Sequence, residues 1–557
     1  MAEQLTTEQI LLLNNLMYAN NEEPLEKISN SDAKTVAEFV NNIDTSKLDG
    51  STNYGSYLTG DDWNKIITAV KNDPQLMNLE IAATHVADED NGGGGGTSAL
   101  FVDPSTNEAI VTFRGTASHE WKDNFVGGGP TSAEDGVSTS YQENAYEWYQ
   151  TLELGQYDTV TVTGHSKGGN KAKYITVRDS KDDNLVDRCV SFDGQGFSDE
   201  FLDEYGNEIS EVWDKITNHN VEGDYVNILL NDIGERNYYE AFDLGDGKFL
   251  ENHAPNTYLD FNDDGTFQMV PGTQDKNLAE IDQFLNSYLR SLSPEDKADS
   301  LALLGELVEG GFNGADANNF LDILLDDDNA DHAAYLVAYL LKYKEENPEL
   351  VDALKSVLSD MGMDDLDNIV DAVVDITEWK YFDEVLDFLG SGSKYIPDFL
   401  LEWLQDYLKD KGIDLSVKDI RKLLAMLETA SEEMNKIDSF DSGYDRMTTQ
   451  KQKEVFDKVV SKFFPSSSGK SDFSINIVAL RHIVDQLQQH SIELKRAVET
   501  IDTISGNLPP KMDYVKAILK KIREDVEKEA KTCEEMSKVL NKILKCYETT
   551  EKKIVAC

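Results

Sequence analysis

What this chain lacks narrows it first. Its 557 residues include four cysteines, at positions 189, 533, 546 and 557. None forms a CxxC pair, which argues against a zinc site or a disulfide framework. No run approaches 18 apolar residues, so the sequence offers no candidate transmembrane helix. The first lysine is Lys27, so the N-terminal stretch lacks the basic region of a Sec signal peptide. Positive charge is scarce: 51 Lys+Arg stand against 105 Asp+Glu, a formal net charge of −54. Phosphate recognition needs a basic face, so nucleic acid is excluded as an expected ligand. The same field disfavours docking of the whole chain on an anionic membrane by charge.

What is present is enough apolar sequence, 40%, to bury real cores. The length exceeds the roughly 250–300 residues that one core usually serves, so more than one domain is expected. The charge is uneven. Residues 441–557 hold 21 Lys+Arg and 18 Asp+Glu, a net of +3, and residues 1–440 carry −57. Three parts follow: residues 1–275, an acidic helical region 276–440, and a near-neutral tail 441–557.

The first part reads as mixed α/β. Leu11–Leu13 and Leu16 suit an amphipathic helix opened by a Thr6/Gln9 capping box. Short β-rich runs at Leu79–Val86, Ala109–Phe113, Thr159–Thr163, Cys189–Phe192 and Tyr225–Leu229 alternate with helical patterns at Tyr141–Leu152 and Lys167–Val177. That alternation predicts a largely parallel sheet covered by helices. The Gly92–Gly96 run reads as a hairpin loop. Asp260-x-Asn262-x-Asp264-Gly265 resembles the start of a calcium loop, but Pro271 stands where a Glu is needed, so a plain hairpin turn is expected.

The motif that carries chemistry is Gly164-His165-Ser166-Lys167-Gly168, a G-x-S-x-G between the strand-like TVTVT and a helical run. A nucleophile elbow is a strained strand-to-helix turn. Small residues at Gly164 and Gly168 let the backbone bend while Ser166 projects its hydroxyl. A serine nucleophile needs a base, an orienting acid and an oxyanion hole. The chain order in such folds is Ser, acid, His. Of the histidines after Ser166 and before the tail, His219 precedes the best acid and His332 lies in the acidic helical region. His253, in a loop-like stretch, is the expected base. Asp224, in VEGDYVNILL, is the expected acid by position; Asp193 is the alternative and Asp232 a third. The backbone N–H of Lys167 is one oxyanion donor, and Thr116, after the Ala109–Phe113 strand, the second. This chemistry calls for no metal or cofactor.

FRGT, then an EWKDN stretch, then GHSKGGN, an Asp and an H…Y segment resemble the lipase class 3-type α/β-hydrolases. The likeness is closer to a bacterial lipase-like family carrying GHSKGGN, and it covers roughly residues 1–270. It implies an α/β-hydrolase fold and hydrolysis of carboxylic esters, often of acyl lipids or phospholipids. It places the nucleophile at Ser166, the acid at Asp224, the base at His253 and the oxyanion loop at Thr116.

The tail carries two apolar stripes on long helical stretches divided by Gly506–Pro510. Ile477, Leu480, Val484, Leu487, Leu494, Val498 and Ile501 follow steps of three and four, and Leu519, Val526, Cys533, Leu540, Tyr547 and Ile554 recur every seven residues. The pattern predicts a long helical hairpin closing a series of all-α segments. It resembles the LXG-type helical modules of type VII secretion substrates, in the reverse order found in lipase toxins of Gram-positive bacteria. Here the turn reads GNLPP in place of Trp-x-Gly. The resemblance implies signal-peptide-independent secretion from the cytoplasm, small helical targeting proteins on the stripes, a secretion machinery and a cognate immunity protein. Two other readings stay open: an intracellular esterase for soluble esters whose tail is an oligomerisation coiled coil, and a catalytically silent scaffold.

Overall fold

A computed structural model describes residues 3–86, 96–115, 137–242, 249–262, 266–312, 315–360, 363–378, 382 and 398–437, with isolated helical positions beyond. Met1–Tyr444 and Asp445–Cys557 are separate compact units. In the second, Lys495, Val498, Lys520, Arg523, Ala530 and Lys531 are described, all helical. The predicted tail hairpin, Thr116 and most of the Gly92–Gly96 loop lie outside the described residues.

The first unit is built on a seven-stranded sheet in simple sequential order: β1 Glu80–Val86, β2 Thr97–Asp103, β3 Glu108–Phe113, β4 Thr159–His165, β5 Arg188–Phe192, β6 Ile216–Val221 and β7 Glu235–Tyr239. β1, β2 and β3 pair antiparallel, and β3 through β7 pair parallel. Alternation along the strands feeds two cores, because successive side chains point to opposite faces. Leu100, Val102, Val111, Val160, Val162, Cys189 and Ile216 belong to one buried cluster. Ala99, Phe101, Ile110, Val190, Phe192 and Val221 belong to the other.

Four helices precede β1: α1 Thr7–Leu16, α2 Val36–Asn42, α3 Gly60–Asn72 and α4 Pro74–Met77. The first three supply Leu11, Phe39, Trp63 and Ile66 to the second cluster. The parallel crossovers run through α5 Ser140–Gln150, α6 Lys167–Lys181, α7 Asp199–Glu204 and α8 Gly206–Val212. These helices supply Tyr146, Ile175, Phe201 and Ile209 to the first. Among the described residues these crossover helices share one face, which is what a right-handed connection rule demands of strands laid down in sequence order. The result is an α/β-hydrolase sheet covered on both sides, followed by helices.

Those helices are α9 Lys276–Ser291, α10 Pro294–Phe312, α11 Ala317–Leu324, α12 Ala330–Glu346, α13 Glu349–Asp360, α14 Asp364–Glu378, α15 Asp398–Asp410 and α16 Val417–Met434. They enclose a core of their own around Phe284, Tyr339, Ile369, Leu404 and Leu424. β8 Asp260–Phe261 and β9 Phe267–Gln268 form a short hairpin at the Asp260 motif.

Two expectations fail. Tyr225–Leu229 is a turn, not a strand. Asp224 Oδ1 accepts the backbone N–H groups of Val226 at 2.6 Å and Asn227 at 3.0 Å, which curls the chain where its apolar residues suggest extension. α1 has its capping box, but Ile10 through Leu16 are all buried, so it is an interior helix rather than an amphipathic one.

Candidate active site

The parallel register brings the ends of the central strands level. Phe113 pairs with Gly164, His165 with Phe192, and Phe192 with His219. The chain leaving these positions carries Arg114-Gly115, Ser166 and Asp193 over one sheet edge, the carboxyl edge where open α/β sheets place their ligands.

Ser166 sits between β4 and α6 with φ 61° and ψ −130°, a strained combination for a residue with a Cβ. It is held there on both sides. Its N–H donates to Phe192 O at 2.8 Å, and its carbonyl accepts Gly169 N–H at 2.8 Å. The turn closes because its flanks lack side chains. A Cβ on Gly164 would stand 2.1 Å from the Gly168 carbonyl carbon, and one on Gly168 would stand 2.0 Å from Phe113 O. Both elbow glycines are therefore obliged by close backbone approach.

Ser166 Oγ lies 2.7 Å from His253 Nε2. His253 Nδ1 bonds Asp224 Oδ2, and the Asp224 carboxylate is fully buried. Its other oxygen takes the two turn N–H groups described above, so both oxygens are occupied, as a buried carboxylate requires. The three expected residues thus meet in one hydrogen-bonded row. His253 stands in the turn Phe249–His253, which is tied in place by Asn252 Nδ2 to Gly223 O at 3.3 Å and Asn15 Nδ2 to Pro255 O at 2.9 Å. The imidazole lies between two rings: His165 at 4.8 Å and Tyr225 at 5.5 Å between centroids.

Other candidates are engaged elsewhere. Asp193 does not touch the His253 row by a hydrogen bond; it binds Val221 N–H, Asn227 and Tyr258. Asp232 pairs with buried Lys173 and with Arg236. His219 bonds Tyr239 through Nδ1 at 2.8 Å, and burial pushes its imidazole down to about 4. His332 stands on α12 beside Asp299. Lys167 takes the first position of α6, where helix N–H groups point out of the end, and its side chain is fully buried. The turn after β3 abuts Ser166: a Cβ on Gly115 would lie 2.9 Å from Ser166 Cβ and 2.3 Å from Tyr18 Oη.

A family model described as Mbeg1-like matches residues 71–304. No curated protein matches the chain. Among solved structures the chain is similar to a Rhizomucor miehei lipase–propeptide complex, at 17% identity and TM-score 0.23 over 29% of this chain and 57% of that one. It is also similar to Lip2 lipase from Yarrowia lipolytica, at 16% identity and TM-score 0.29 over 48% and 84%. A triacylglycerol lipase from Penicillium expansum gives 15% identity and TM-score 0.21 over 29% and 70%. The chain spans little more than half the length of the Rhizomucor lipase.

Sequence reasoning missed a supporting set. Tyr18, just past α1, lies 2.6 Å from His165 Nδ1, and Asn14 Nδ2 donates to Thr163 Oγ1 of β4 at 2.9 Å. Burial, with His253 close by, holds the His165 imidazole well below the ordinary histidine range. The one available signal was the polar Asn14-Asn15 pair inside a leucine run. His165, Asp193 and His253 place donor atoms within 4.8 Å of one another. Both ring nitrogens of His253 and both Asp193 oxygens already serve hydrogen bonds, which a metal would have to break.

Proposed function

We propose that this chain is a serine carboxylic-ester hydrolase of the lipase or phospholipase type. The observation that carries the reading is the unbroken path from Ser166 Oγ through His253 to buried Asp224, with the serine on a strained elbow. His253 Nε2 takes the hydroxyl proton as Ser166 Oγ attacks the ester carbonyl carbon. Asp224 fixes the imidazole tautomer, with the proton on Nδ1, and balances the imidazolium that forms. Backbone N–H groups of Lys167 and Thr116 hold the tetrahedral oxyanion. The C–O bond to the alcohol breaks, and His253 returns the proton to the leaving alkoxide. Water, deprotonated by the same imidazole, then releases the acyl group from Ser166. An apolar acyl chain suits a protein whose net charge of −54 gives no electrostatic attraction to anionic headgroups.

The tail extends the proposal. Its near-neutral charge and long heptad stripes support an export and partner-binding role for residues 441–557, on a type VII-like route out of the cytoplasm. Small helical proteins would cover the stripes, and an immunity protein would protect the producer of this effector. The decisive experiment treats mixed phospholipid vesicles with wild-type and Ser166→Ala protein and measures released fatty acid by mass spectrometry. Release by wild type alone supports the enzyme; equal release by both overturns it. Removal of residues 441–557 should abolish export and leave hydrolysis intact; normal export of the shortened chain would refute the role of the tail.

A further inference from the structure

The sheet edge carries a second buried acid. Asp193 follows β5 with φ 45°, an outlying backbone for a non-glycine residue, and its side chain is fully buried. Oδ1 accepts Val221 N–H at 2.8 Å and Asn227 Nδ2–H at 3.0 Å. Oδ2 meets the Tyr258 hydroxyl. That hydroxyl also lies 2.8 Å from the His219 carbonyl oxygen. A phenol has one proton to give and a carbonyl can only accept. When Tyr258 donates to His219 O, its contact with Asp193 is a hydrogen bond only if Oδ2 carries a proton.

The surroundings favour that assignment. Among the described residues no lysine or arginine pairs with Asp193. Asp224 is the acid linked to it: Asn227 donates its side-chain N–H to Asp193 and its backbone N–H to Asp224. The His165 and His253 rings stand within 4.8 Å, and His165, His219 and Tyr258 are all held in their neutral forms by burial first. An ionised Asp193 would thus be a second negative charge in a buried site beside Asp224. Burial, then the charge of Asp224, pushes its carboxyl well above the usual range.

We propose that Asp193 is a neutral carboxylic acid that donates to Tyr258 and, through Val221 and Asn227, fixes the loop presenting Asp224, so that Asp224 alone carries the negative charge behind His253. Asp193 is then a positioning residue. Its protonation does not depend on the hydrolase reading; its kinetic consequence does.

The test is infrared spectroscopy of the full chain at pH 8, with and without carboxyl-labelled aspartate. A protonated-carboxyl band that shifts with the label and vanishes in Asp193→Asn is the expected result. A wild-type spectrum without such a band overturns the proposal whether or not the variant folds. Ester hydrolysis supplies the second readout. Asn keeps a neutral donor at this position, so Asp193→Asn should stay within about threefold of wild type with the acid limb of its pH profile unmoved. Asp193→Ala should lower kcat by about tenfold or more through a loosened Asp224. An acid limb displaced downward in Asp193→Asn would show that a charge had been removed, and would refute neutrality. Inactivity of the wild type would count against the hydrolase reading alone, because the infrared band still decides the protonation of Asp193.

Discussion

Gly168→Ala adds one methyl group to the elbow, and its effect can be worked from the backbone around it. The new Cβ would stand 2.0 Å from Phe113 O, 2.8 Å from Phe113 C and 3.0 Å from Arg114 C. Carbon–oxygen contacts ordinarily begin near about 3.3 Å, so the deficit exceeds ~1 Å. The obstacle is main chain on a central strand, with no rotamer to swing aside. Either α6 moves off the sheet or the end of β3 moves. That end leads to Gly115, which abuts Ser166.

Two terms oppose each other in stability. Alanine in place of glycine favours a helix by about 1 kcal/mol, and overpacking costs about 1–3 kcal/mol. Unfolding should therefore shift by only about 0–2 kcal/mol. Catalysis is less forgiving, since a misplacement of about 1 Å costs on the order of 100-fold in rate. The assay pairs p-nitrophenyl butyrate kinetics with thermal unfolding followed by circular dichroism. Gly155→Ala is the control, because nothing lies within 4 Å of its Cβ. A Gly168→Ala protein within about twofold of wild-type kcat/KM would refute the claim that this close approach shapes the nucleophile.

Three further outcomes follow from the same geometry. Asp224→Asn should fold normally yet lose roughly 10³–10⁴ in kcat, because an amide cannot balance the imidazolium; retention of a tenth of the activity would contradict this. The folded His219 imidazole is depressed to about 4, so the native state binds fewer protons than the unfolded chain between pH 6.5 and about 4. Stability is thus full above pH 6.5 and falls on acidification, by up to about 3 kcal/mol from this group, and His219→Gln should flatten that loss in urea titrations at pH 7 and 5. Buried Cys189, whose thiol is pushed up to about 12, should resist iodoacetamide in the native protein and react in urea; peptide mapping that finds it alkylated without denaturant would refute this.

The residues that meet at the sheet edge were legible to different degrees, for physical reasons. Gly164 and Gly168 announce themselves because backbone contacts under 3 Å leave no other residue type. Asp224 and His253 emerge from chain order, since strands laid down in sequence carry later residues to the same edge. β6 and β7 were missed because ITNHNV and ERNYY carry polar side chains onto strands. The Tyr225–Leu229 error has the opposite cause: one carboxylate oxygen captured two N–H groups and overrode β propensity. Tyr18 with His165, and Asn15 with Pro255, are separated by 147 and 240 residues. No local pattern encodes such partners.

The buried first helix has a practical consequence for dissection of this protein. The family match begins at residue 71, which invites a trimmed fragment spanning 71–304. That fragment would forfeit the α1 leucines, strip Thr163 and Pro255 of their asparagine donors, and remove the Tyr18 ring from beside His165. The match marks residues 71–304, but the interior of the molecule is shared with sequence outside that stretch. A fragment that keeps these contacts must begin before α1.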